Sequence, residues 1–158
     1  MNHILKQIFT LSTVLAIFVL YILMQNYLPS NKQSIAVAII EKNDKVLLTL
    51  QSQEKNPQNL WSFPMQTTKK NENLIDCLKQ ELQSELNFKA EAAHYIGTTN
   101  ATEQDQELEL HAFRVPIYSG QIILKDKYID AVWLHPQELS NYQIVKNQLP
   151  FVKLLQEN

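Results

Sequence analysis

Glycine is almost missing from this chain. Of 158 residues only Gly97 and Gly120 are glycine, where ordinary usage of about 7% would give roughly eleven. A phosphate-cradling loop built from consecutive glycines is therefore excluded. Arginine is scarcer still, since Arg114 stands alone, and 14 basic against 16 acidic residues leave a formal charge of −2. Without clustered Lys and Arg there is no nucleic-acid footprint. A single cysteine, Cys77, rules out an internal disulfide and any zinc site built from several thiolates.

Apolar residues are unevenly spread. Ile8 to Met24 carries no charged side chain, and a weaker apolar stretch runs from Ile4 to Leu28. A helix over the longer stretch rises far enough to cross a hydrocarbon core of roughly 30 Å. Tyr21 and Tyr27 fall towards its far end, where aromatic rings favour the interface. A cleaved signal peptide fits less well, because the run exceeds a usual signal core and no small-x-small site lies between Met24 and Ser30. The expectation is one N-terminal transmembrane helix and linker over 1–33, giving a single-pass membrane protein, and one domain over 34–158. Lys6 before the run and Lys32 and Lys42 after it do not fix the orientation.

Within the domain, Ile35 to Ile40 is a continuous apolar run rich in β-branched residues, the mark of a strand covered on both faces. Asn43 and Asp44 supply a turn into a second strand, Lys45 to Leu50, and Leu60 to Phe63 reads as a short strand closed by Pro64. Between Asn73 and Leu86, Leu74, Leu78 and Leu82 recur every four residues, with Ile75 and Leu86 widening the stripe of a helix with one buried face. Asn73 suits its N-cap, with Asp76 in the first turn, and Asn87 suits a left-handed stop. Ala92 to Thr98, Glu107 to Ile117, Gln121 to Leu124 and Tyr128 to Leu134 read as further strands. Pro136 to Leu139 and Gln143 to Leu155 read as helical, with Pro150 requiring a first-turn position or a kink. The order predicts an α/β fold, a mixed sheet between helices.

Glu81 and Glu85 lie four residues apart and project from one side of the long helix. That acidic edge is expected opposite the leucine stripe, with Glu72 within reach of the first turn. Paired carboxylates of this kind hold a hard cation such as Mg²⁺, which binds through one or two carboxylates plus substrate phosphates. Spacing alone equally describes a solvated helix face.

The stretch WSFPMQTTKKNENLIDCLKQELQSELNF, Trp61 to Phe88, resembles the Nudix box and its flanks, the signature of MutT-like pyrophosphohydrolases. Laid on that motif without gaps, its opening glycine falls on Gln66 and its first glutamate on Glu72. Its arginine falls on Gln80, followed by Glu81 and Leu82; its glutamate pair on Ser84 and Glu85; its closing glycine on Asn87 before Phe88. The strand pair SIAVAIIEKNDKVLLTL, Trp133 in DAVWLHPQEL and a final helix extend the resemblance over about residues 34 to 156.

The resemblance implies a Nudix-type α/β/α sandwich with a mixed sheet, preceded by one transmembrane helix. It implies a hydrolase cleaving a pyrophosphate bond in a nucleoside diphosphate-X compound or a nucleoside triphosphate, with Mg²⁺ or Mn²⁺ bound by Glu81 and Glu85 and by Glu72. Asn147, at the start of NQLPFVKLL, matches an asparagine with which some relatives read a purine base. Asp126 and Asp130, before Trp133, are the acidic candidates for a catalytic base. The departures weaken the chemistry. Ser84 removes a carboxylate, and Gln80 removes the charged partner of Glu72. Asn71 and Asn87 replace glycines with the residue best able to take positive φ, whereas Met65 and Gln66 put side chains where the family backbone turns and a carbonyl meets metal. The expected alternative is a catalytically silent Nudix-fold ligand-binding or protein-interaction module, tethered to the membrane.

Overall fold

The computed structural model of the chain describes residues 14–23, 32–69, 71–116 and 121–157. The chain divides into two units, Met1–Asn31 and Lys32–Asn158. In the first, residues 14–23 form a helix, α1, and its large apolar side chains from Val14 to Leu23 are all exposed. Much of the expected membrane span lies outside the described residues. Among the described residues no helix is long and apolar enough to cross a membrane.

The second unit is built on a seven-stranded mixed sheet. Strand β1 (Gln33–Lys42) is its centre. Its alternate side chains go to opposite faces, as the period of two requires. Ile35, Val37 and Ile39 enter one core with Leu139, Phe151, Val152 and Leu155. Ala36, Ala38 and Ile40 enter the other with Leu78, Leu82 and Leu86. Helix α2 (Leu74–Leu86) therefore covers one face and helix α3 (Leu149–Gln156) the other, which is the expected sandwich.

One edge of β1 pairs in parallel with β6 (Gln106–Pro116), which in turn pairs antiparallel with β5 (His94–Glu103). The other edge is shared. At the hairpin, Glu41 and Lys42 face Val46 and Lys45 of β2 (Lys45–Gln51), and further along Ile35, Ala36 and Val37 face Thr67, Gln66 and Met65 of β4 (Met65–Thr67). Meanwhile β2 pairs with β3 (Trp61–Ser62) and β7 (Tyr128–Leu134). The segment from β3 to β4 thus bridges a fork between β1 and β2, fastened midway by Ala38 N donating to the Pro64 carbonyl at 2.8 Å.

Asparagine and aspartate do much of the turning that glycine does elsewhere. Asn43, Asp44, Asn59, Asn71, Asn87 and Asp105 all have positive φ, the region these two residues tolerate best after glycine. Asn87 ends α2 at φ 50°, ψ 34°, and Asn73 caps its start by accepting from the backbone of Ile75 and Asp76.

Two expectations need correcting. Gln121 to Leu124 is not a strand; its backbone instead donates from Ile123 N to Leu86 O and from Lys125 N to Glu85 O, both 3.0 Å, satisfying carbonyls at the end of α2. Gln143 to Val145 is extended, bonded on both sides of Trp61, and regular α-helix begins only at Leu149 with Pro150 in its first turn. The helical turn expected at Pro136 to Leu139 is present as a 3₁₀ helix, Pro136–Asn141. Ile117 and Gly120 lie outside the described residues.

Candidate functional site

The two box glutamates sit in different surroundings. A helix turns about 100° per residue, so Glu81 lies beside Leu78 and Leu82 rather than opposite them. It is buried, 7% exposed, which corrects the expectation of an acidic edge facing away from the leucine stripe. Glu85, one turn on, is half-buried.

A buried carboxylate needs partners, and Glu81 has two on one oxygen. Lys127 Nζ lies 2.6 Å from Oε1, and the Tyr128 hydroxyl donates to the same atom at 3.1 Å. The ammonium also donates to the Met65 carbonyl at 2.8 Å and to Gln66 Oε1 at 3.2 Å. A lysine ammonium has three protons, and each meets an oxygen. Met65 N donates to the Tyr128 hydroxyl at 3.4 Å and Lys127 N to Glu85 Oε2 at 3.2 Å. Burial and the neighbouring Glu81 push the Tyr128 phenol far above its usual range, so it acts as a neutral hydrogen-bond donor.

Four chain segments meet here. Strand β4 brings Met65 and Gln66, α2 brings Glu81 and Glu85, and the turn into β7 brings Lys127 and Tyr128. The fourth is the stretch before α3, where Gln148 is fully buried. Its Oε1 accepts from Phe63 N at 2.7 Å, while its Nε2 faces the Phe63 carbonyl at 3.4 Å and Met65 Sδ at 3.2 Å. That side-chain amide holds the backbone leading into Met65 as a neighbouring strand would.

Other expected residues lie apart from this network. Glu72 is exposed and folds back on its own loop, accepting from Lys69 N at 2.9 Å. Asp126 and Asp130 are exposed, and Asp130 accepts from Ala131 N. Ser84 donates to the Glu81 carbonyl at 3.2 Å. Asn147 donates through Nδ2 to Glu103 Oε1 at 2.7 Å, and its Oδ1 has no hydrogen-bond partner. Burial and the nearby Glu72 carboxylate push the Cys77 thiol up, away from the thiolate form that a nucleophile needs. A cavity of about 680 Å³ between the β1–β2 hairpin, Arg114 and His135 shares no lining residue with the box.

Among the described residues no three His, Cys, Asp or Glu side chains are grouped to hold a metal ion. Mg²⁺ requires oxygen ligands in near-octahedral array. The oxygens that converge here, from Met65, Gln66 and Glu81, converge on an ammonium. As arranged, these residues do not fit a resident divalent ion.

A sheet flanked by two helices, with a box helix whose carboxylates face a strand-bridging segment, defines a Nudix-fold domain. The NUDIX domain model matches residues 31–155, and the chain belongs to that family. It is 25% identical over 119 residues to the CTP pyrophosphohydrolase of Escherichia coli (strain K12), covering 75% of this chain and 87% of that protein. To the 8-oxo-dGTP diphosphatase of Buchnera aphidicola subsp. Schizaphis graminum it is 29% identical over 96 residues, 61% of this chain and 72% of that one. The solution structure of the E. coli ORF135 protein matches at a TM-score of 0.71 and 24% identity, over 80% of this chain and 89% of that one.

Proposed function

We propose that this chain is a pyrophosphohydrolase of nucleoside diphosphate-X compounds or nucleoside triphosphates, slow for its family and held at a membrane by its first 33 residues. Family membership supports the reaction class, and the named activities of the two relatives support a nucleotide-type substrate. Nudix hydrolases generally use a divalent metal, typically Mg²⁺. The single observation that carries the low rate is the Lys127 ammonium on Glu81 and the Met65 carbonyl. Of the two glutamates on the box helix, Glu85 is the one whose side chain is not tied to that ammonium. Asn147 is proposed for the base, because an unpartnered Oδ1 is an acceptor suited to an exocyclic amine.

Turnover by the full chain on CTP, 8-oxo-dGTP and ADP-ribose with Mg²⁺ or Mn²⁺, beside that of Glu85→Gln, tests this reading. Loss of one transition-state contact lowers rates by about 10²–10³, so a slow wild-type reaction and an undetectable Glu85→Gln reaction are expected. Equal turnover by the two, or none by either, contradicts it. The same ammonium favours a second reading, a tethered ligand-binding or protein-interaction module without catalysis, for which nucleotide is retained and no product forms.

The tether rests on the charge-free run Ile8 to Met24 and on the exposure of every large apolar side chain in α1. The full chain should stay in the membrane fraction through an alkaline carbonate wash. Its release by that wash would sink the anchor.

A further inference from the structure

Lys127 is the one charged side chain in the site that matches no residue expected of it, and its position accounts for a substitution that otherwise looks like damage. Gln66 stands where the family motif opens on glycine, and its amide oxygen reaches the ammonium at 3.2 Å, which no glycine can do. Ser84 stands in place of a carboxylate, so the site carries one negative charge fewer. Glu81 and Lys127 then neutralise each other at 2.6 Å, with side chains only 6% and 15% exposed. The Tyr128 hydroxyl fixes the shared carboxylate oxygen from the other side.

We propose that the Lys127 ammonium is the standing cation of this site, taking the oxygens of Met65, Gln66 and Glu81 and excluding a divalent ion from Glu81 for as long as it stays there. This deepens the reading of the box as the domain's cation site. The ammonium matches a hard cation in two respects: it is positive, and its hydrogen bonds here all go to oxygen acceptors. It differs in having no vacant coordination position, because all three protons are already bound to protein. A phosphate therefore gains no contact from it in this arrangement, whereas a metal ion keeps positions open for water and phosphate oxygens. For a divalent ion to reach Glu81, the ammonium must leave. A divalent ion on the oxygen that the ammonium already holds would meet it at close range, and at about 4 Å even the screened repulsion between a unit charge and a divalent ion is several kcal/mol.

Mn²⁺ binding to the full chain without nucleotide, read from the electron paramagnetic resonance signal of free ion, tests this separately from any turnover. Lys127→Met keeps the length of the stem and removes the charge. It should bind Mn²⁺ at least about tenfold more tightly than the unaltered chain, a conservative reading of the repulsion removed. The gain should vanish in the double variant Lys127→Met/Glu81→Gln. In the otherwise unaltered chain, Glu81→Gln should change Mn²⁺ affinity by less than about twofold, because a carboxylate already taken by the ammonium contributes little to an incoming ion. This arm needs no change at Lys127 and decides the matter alone if circular dichroism shows the Lys127→Met chain unfolded. Equal affinities in the unaltered chain and folded Lys127→Met overturn the proposal. So does a loss of fivefold or more, about 1 kcal/mol, on Glu81→Gln alone.

Discussion

Replacing Glu81 with leucine is expected to destabilise the domain by about 3 kcal/mol, the cost of stripping one partner from a largely buried ion pair. Lys127 Nζ would lose its shortest contact, and the Tyr128 hydroxyl its acceptor, in a place with little access to water. The unfolding midpoint should fall by roughly 10 °C. Lys127→Met alone should also cost stability, because it leaves the Glu81 carboxylate buried with only the tyrosine. Combining Glu81→Leu with Lys127→Met should return at least half of the summed losses, since exchanging a whole buried pair for apolar side chains is often neutral. Urea unfolding of the four proteins measures this coupling. Losses that simply add would show that the pair is not a unit.

Gln148→Leu is the second large effect, an expected loss of about 3 kcal/mol with side-chain volume nearly kept. Removing one partner of a buried hydrogen bond costs about 1–3 kcal/mol for each group left unpaired. Here the Phe63 N–H, bonded at 2.7 Å, and the Phe63 carbonyl are both stranded, in a residue with no exposed surface. The damage should reach the site, because Phe63, Pro64 and Met65 form the bridge between β1 and β2. Amide exchange at Ala38, which is bonded to Pro64 O, should quicken. A stability loss below about 1 kcal/mol, with Ala38 protection unchanged, would mean that the sheet holds this bridge without Gln148.

The scaffold was readable where local chemistry and tertiary packing agree. The apolar run Ile35–Ile40 is a central strand because both its faces meet helices, and the leucine stripe of α2 is the face that closes one core. Asn73, Asn71 and Asn87 act where their short polar side chains suggest. Strand β4 was not readable. Its three residues have no alternation, and they pair only because Pro64 delivers them to the free edge of β1. The apolar letters of Gln121 to Leu124 mimic a strand, yet their backbone serves the end of α2.

The site was half legible. Spacing marks Glu81 and Glu85, and helical geometry places Glu81 on the flank of the leucine stripe, where packing buries it. Lys127 was hidden between the two acids considered as bases, Asp126 and Asp130, and its partner lies 46 positions away. A usable signal existed: set against the motif it resembles, the stretch puts an amide at Gln66 where a glycine would have no side chain, and that amide oxygen meets the ammonium. Gln148 gave no such hint, since a glutamine before a proline-started helix reads as surface until its bonds to Phe63 are seen.

The most direct test of the ammonium's hold on Glu81 is a crystal of the full chain grown with millimolar Mn²⁺ and examined by anomalous scattering. Lys127 Nζ is expected in contact with the Met65 carbonyl and Glu81 Oε1, with no anomalous peak between them. A peak at about 2.1 Å from a Glu81 oxygen, with the Lys127 side chain turned away, would contradict it.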